Sequence, residues 1–195
     1  MVGSLTCVGV AVVISGFLHE DGFADLCDAL GGSSPQRRRE IMRDSRVGAF
    51  GATGLVIVVG SELALLASLS VAGAVSALLC AHMTGRFASV LLLRVAKAPS
   101  DPSSVAKPYL DGVDNRAVLL ATITEVAVLL VLSNVAWTSG VLLGTVVAVV
   151  AAKRLFDRWL GGVSGDCLGA LTKVMQLLVL CLAVHPRFPL PPWER

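Results

Sequence analysis

Charge is scarce in this chain. Of its 195 residues only 15% are charged and 55% are hydrophobic, with a mean hydropathy of +0.78. An ordinary soluble domain has about 25% charged and roughly 45 to 50% apolar residues. The shortage of charge excludes a soluble globular enzyme and places the chain in a membrane. The five cysteines, Cys7, Cys27, Cys80, Cys167 and Cys181, include no C-x-x-C pair and no Cys/His ligand spacing. That excludes a zinc site and a disulfide framework and leaves most of them as small apolar packing residues. Residues 1–18 lack the basic n-region and cleavage site of a secretory signal, so they read as a span. Internal repeats, low-complexity tracts and any sign of a second domain are also missing, and residues 1–195 form one membrane-embedded domain. Nothing points to nucleic acid.

What is present is a series of apolar runs separated by three polar stretches. Gly3–Leu18 has no ionisable group and is barely long enough to cross a bilayer, which takes about 17 to 25 residues. From Val47 to Leu93 the run is too long for one span, with Ser68, Ser70 and Gly73 as the break. From Ala117 to Ala152 two more helices are expected, separated by a turn in Ser133–Gly140. Cys167–Val184 makes the last, with Lys173 close enough to the loop end to snorkel. The expected fold is therefore all-α, a polytopic helix bundle of about six transmembrane helices. The polar stretches after the first, third and fifth spans carry nearly all the lysine and arginine, and the turns near Ser70 and Ser139 carry none. By the positive-inside rule these stretches share the cytoplasmic side, in a bacterial setting the inner membrane. This topology puts the N-terminus outside, and a further span upstream is expected.

The first polar stretch opens on HEDGFADLCD, residues 19–28. Asp21, Asp25 and Asp28 are spaced four and three apart and share one face if the stretch is helical. Clustered carboxylates repel unless a cation neutralises them, and oxygen ligands suit Mg²⁺ holding substrate phosphates. Asp166, in the glycine loop GGVSGD with Gly161, Gly162 and Gly165, is either a further ligand or the cap of the last helix. Arg43 and Arg46, which bracket Asp44 and Ser45, look like phosphate clamps. Arg37 to Arg39 serve either topology or phosphate. His19 is a general base, a ligand or a helix-end residue. His82 and Arg86 share a face within a span, with Glu62 and Glu125 as candidate partners.

Three blocks carry a family resemblance: HEDGFADLCDALGG, RRREIMRDSRVGAFG and GGVSGDCLGA, in this order and interleaved with apolar spans. They closely resemble the cobalamin synthase family, the adenosylcobinamide-GDP ribazoletransferases. The first covers that family's H-x-D-G-x-A-D-x-x-D-G pattern with His19, Asp21, Gly22, Ala24, Asp25 and Asp28. The second covers R-x-E-I-M-[KR]-D-S-R-[IV]-G from Arg38 to Gly48, and the third G-G-x-x-G-D-x-x-G-A from Gly161 to Ala170. Ala29 stands where the family has glycine, and Lys173 and Gln176 stand where acidic residues would be expected.

The resemblance implies a Mg²⁺-dependent transferase of the last steps of cobalamin biosynthesis. α-Ribazole, or its 5′-phosphate, would displace GMP from adenosylcobinamide-GDP. On this reading Asp21, Asp25 and Asp28 act catalytically and bind the metal with Asp166, and His19 is the base. Arg38, Arg43, Asp44, Ser45, Arg46, Arg86 and the glycines of the third block contact substrate. Membrane lipids surround the bundle, and a homo-oligomer is compatible with it. Rival readings are a CDP-alcohol phosphotransferase-like enzyme, whose D-G-x-x-A-R pattern is not matched, a transporter using the intramembrane ionisable residues, and a non-catalytic shortened remnant.

Overall fold

The computed structural model describes residues 2–96 and 112–185. Among them the chain is helical, with no strand. The helices are α1 (Val2–Ile14), α2 (Leu18–Asp28), α3 (Pro35–Met42), α4 (Ala49–Ala67), α5 (Val71–Val95), α6 (Asn115–Leu132), α7 (Val135–Trp159) and α8 (Gly165–Ala183), with a 3₁₀ turn at Ala29–Gly31. The expected proline-rich loop around Pro99, Pro102 and Pro108 and the tail from Pro186 lie outside the described residues.

Helices α4 to α8 are each long and apolar enough to cross a membrane. The count reaches six if α1 and the helical stretch Leu18–Gly31, which meet at 88°, are taken as one span. The polytopic bundle expected from hydropathy is what forms. Its helix ends are set by local chemistry. Ser70 caps α5 by accepting from Gly73 N, Asn134 caps α7 by accepting from Trp137 N, and Ser164 caps α8 by accepting from Cys167 N. The breaks after Ala67 and Leu132 therefore fall where serine and asparagine can satisfy orphan N–H groups.

The first span departs from expectation. Helix α1 stops at Ile14, because Gly16 (φ 62°) and Phe17 (φ 61°) enter the left-handed region. A non-glycine residue there is uncommon and holds a sharp turn. Helix α2 has 11 residues, about 16 Å at 1.5 Å per residue, and carries Glu20, Asp21, Asp25 and Asp28. By itself it is too short and too acidic to cross hydrocarbon.

Helices α5 and α8 occupy the centre, whereas α4, α6 and α7 turn large side chains such as Ile57, Leu120 and Val147 outward. One core cluster, including Ala77, Leu129, Val141 and Val179, lies along the helices. A second, with Met42, Leu92, Phe156 and Val163, packs beneath the end where α2, α3 and the Leu160–Ser164 loop meet.

Candidate active site

Helix α2 reaches its neighbours through glycines. A Cβ on Gly22 would lie 2.7 Å from the Asp166 carbonyl oxygen, and one on Gly169 would lie 2.9 Å from the Leu18 carbonyl. The backbones of α2 and α8 thus touch where both lack side chains, and Asp21 and Asp25 come up against the first turn of α8. Asp166 stands in that turn. It does not cap the helix, since Ser164 does so.

The electrostatics record the crowding. Burial, and then the charges of Asp166, Asp21 and Asp28, push the Asp25 carboxyl up to about 7. Among the described residues no three His, Cys, Asp or Glu side chains form a ready metal cage. The donor set nonetheless fits Mg²⁺. It is all oxygen, it is mutually repelling, and this ion is usually held by one or two carboxylates completed by substrate phosphates.

Asp28 has partners that the sequence reading did not foresee. Its Oδ2 accepts from Gly48 N at 2.7 Å and its Oδ1 from Gly51 N at 2.8 Å. It caps α4 across the gap from α2, and glycine is needed at both positions because a Cβ there would collide with the carboxylate. Both oxygens accept at the start of α4, which gives Asp28 a structural role in tying α2 to α4.

Arg38 also differs from the substrate contact expected of it. Its guanidinium lies 4.7 Å from the Trp159 ring centroid, and its Nη1 donates to the Trp159 carbonyl at 3.3 Å. Arg39 donates to the Leu160 carbonyl. These two arginines satisfy carbonyls at the C-terminal end of α7 and hold α3 over the glycine loop. Gly161 (φ 78°) and Gly162 (φ 153°) make the loop's turn, which side chains would strain.

Arg46 is exposed, and it is held by Asp44 through Nη2 to Oδ2 at 2.6 Å and Nε to Oδ1 at 2.9 Å. The Arg46 hydrogen bonds hold the Asp44 carboxyl down at about 2. Asp28, Arg37, Glu40, Asp44, Arg46 and Gly48 line an open cavity of about 520 Å³ between the C-terminal end of α2, α3 and the start of α4. Arg43 closes α3, and Ser45 is exposed in the same loop.

His19 is half-buried on α2, and its Nδ1 has no hydrogen-bond partner among the described residues. Burial first, and then the Arg86 charge, lower its pKa from the ordinary histidine value. Arg86 itself donates to His82 Nδ1 (3.2 Å) and to the His82 carbonyl (3.1 Å). Glu62 and Glu125 are not their partners. Glu62 accepts from Lys173 Nζ at 3.0 Å, and Glu125 accepts from Thr84 Oγ1 at 2.7 Å.

Lys173 does not snorkel. Its side chain is 3% exposed, and its ammonium lies 2.7 Å from Glu20 Oε1 as well as on Glu62. Sequence reasoning missed this cluster, along with Trp159. The available signal was that Lys173 is the one ionisable residue inside its apolar run and that Glu20 sits within the acidic block.

Comparison with known proteins then decides the family. The family described as cobalamin-5-phosphate synthase matches residues 1–184. The chain belongs to the cobalamin-5-phosphate synthase family. It is thereby an enzyme, a membrane transferase of cobalamin biosynthesis. The adenosylcobinamide-GDP ribazoletransferase of Syntrophobacter fumaroxidans is 37% identical over 92% of this chain and 73% of its own length. Those of Allorhizobium ampelinum (35%, 92% and 72%) and Vibrio cholerae (33%, 87% and 66%) are similar. The chain thus spans about two thirds to three quarters of the length of these relatives. No solved structure matches it.

Proposed function

We propose that this chain transfers the adenosylcobinamide phosphate moiety of adenosylcobinamide-GDP to α-ribazole or its 5′-phosphate. The ribazole hydroxyl oxygen bonds to phosphorus, the bond to the GMP oxygen breaks, and the hydroxyl proton is lost. The products are GMP and adenosylcobalamin or its phosphate. One observation supports this reading: the close backbone crossing of α2 and α8 at Gly22 and Gly169 brings the acidic face of α2 up to Asp166. The printed names of the relatives supply the substrates.

Asp21, Asp25 and Asp166 would hold Mg²⁺, which when bound neutralises charge on the diphosphate and on the departing GMP. Arg43 and Arg46 bind phosphate oxygens, with Arg46 exchanging Asp44 for the anion. Ser45 and the Gly161, Gly162 and Gly165 backbone complete the substrate contacts. His19 is the candidate acceptor of the hydroxyl proton, its pKa lowered first by burial and then by the Arg86 charge. The basic residues of the α2–α3 segment favour the cytoplasmic face of the bacterial inner membrane, with lipid around the outward faces of α4, α6 and α7.

Membranes carrying the protein, given adenosylcobinamide-GDP, α-ribazole and Mg²⁺, are expected to release GMP in step with cobalamin formation. Correctly inserted protein that yields neither would overturn the assignment.

A further inference from the structure

The buried cluster on Lys173 joins three helices and lies beside the site. Lys173 of α8 bridges Glu20 of α2 and Glu62 of α4, with side-chain exposures of 3%, 11% and 5%. Two carboxylates share one ammonium. The same narrow cavity is lined by His19, His82 and Gln176, and Gln176 Nε2 lies 2.9 Å from His82 Nδ1.

Glu20 stands between His19 and Asp21 in the sequence, so holding its carboxylate fixes the rotation of α2 about its own axis. At about 100° per residue, Asp21 and Asp25 are then committed to one face. The C-terminal half of α2 is already tied to α4 through Asp28. Its N-terminal half, past the left-handed turn at Gly16 and Phe17, has the Gly22 contact with α8 and this ion pair. Glycine contacts permit close approach but do not specify rotation, whereas a charge pair in an apolar interior does, because an unpaired buried charge is strongly disfavoured.

We infer that Lys173 is a positioning residue, which through Glu20 orients the N-terminal half of α2 and so sets where Asp21 and Asp25 face. Its pairing with Glu62 anchors the ammonium to the bundle. The inference rests on the proposed transferase reading only for its activity readout.

Glu20→Gln and Glu62→Gln separate this role from simple charge balance, since each leaves one carboxylate on one ammonium. Hydrogen exchange of the purified protein, followed by mass spectrometry, reads the seating of α2 directly. Glu20→Gln is expected to speed exchange in Leu18–Ala24 at least tenfold and to lower kcat for GMP release at least tenfold with little change in KM. Glu62→Gln is expected to change each less than threefold. Lys173→Met, where it folds, should resemble Glu20→Gln in α2 exchange. Equal effects of the two glutamine variants, a larger effect of Glu62→Gln, or no change in α2 exchange in Glu20→Gln would overturn the inference. If the parent protein releases no GMP, the transferase reading fails while the exchange comparison still decides this one.

Discussion

Gly22 meets Asp166 so closely that a Cβ on Gly22 would sit 2.7 Å from the Asp166 carbonyl oxygen. The contact is backbone to backbone, with no flexible side chain to give way. Gly22→Ala should therefore separate α2 from α8, costing about 1 to 3 kcal/mol in packing. Because a shift of about 1 Å can cost on the order of 100-fold in rate, GMP release should fall far more than the thermal midpoint in detergent. Gly144→Ala in α7, which has open space around it and no part in the site, is the control. Near-parent turnover in Gly22→Ala would show that the crossing does not organise the site.

Asp25 and Asp28 should respond oppositely. Asp28→Ala removes a cap from two backbone N–H groups and should lower stability by about 1 to 2 kcal/mol. Asp25→Asn relieves repulsion. The Asp25 carboxyl titrates at about 7 in the folded protein, above its ordinary value of 3.8. A carboxyl raised on folding favours the folded state at low pH and loses that contribution as pH rises from about 4 to 7. Without divalent cation the parent should thus lose stability across that window, and Asp25→Asn should flatten the slope while abolishing transfer. Melts recorded from pH 4 to 8 check both.

Cation binding should release protons near neutral pH. A metal needs the Asp25 carboxylate, so Mg²⁺ affinity should rise with pH through about 7. Titration calorimetry of the protein in two buffers of different ionisation enthalpy measures the protons released. An affinity flat from pH 6 to 8, with none released, would remove Asp25 from the ligand set.

Arg38 and Trp159 should couple. Truncating either one breaks the stacking at 4.7 Å, and a double-mutant cycle with Arg38→Ala and Trp159→Ala should return an interaction of about 0.5 to 1 kcal/mol. Arg46→Ala, by contrast, should raise KM for adenosylcobinamide-GDP severalfold and leave the melt unchanged. A large KM effect of Arg38→Ala with no coupling to Trp159 would restore it to the substrate contacts.

Much of this protein was legible locally. The break at Ser68–Ser70 follows from hydropathy interrupted by residues that cap helices, the turn expected over Ser133–Gly140 shrinks to Ser133–Asn134 because Asn134 already caps α7, and the helical spacing of Asp21, Asp25 and Asp28 is realised in α2. The contacts that sequence reading missed share a cause. Asp28, Arg38, Glu62 and Lys173 were read by their immediate neighbours, while their partners lie far away in the chain. Arg38 meets Trp159 across 121 residues, and Lys173 meets Glu62 across 111. A carboxylate in an acidic cluster and a carboxylate capping a distant helix look alike until the helices are packed.

By itself the sequence determined the membrane class, the five spans α4 to α8 and the family, because hydropathy, capping and motif order are properties of neighbouring residues. Only the tertiary structure decided which charges stay open for chemistry and which are consumed in holding helices together. That division depends on close backbone approach at Gly22, Gly51 and Gly169, and on the requirement that every charge drawn into the apolar interior find a partner there.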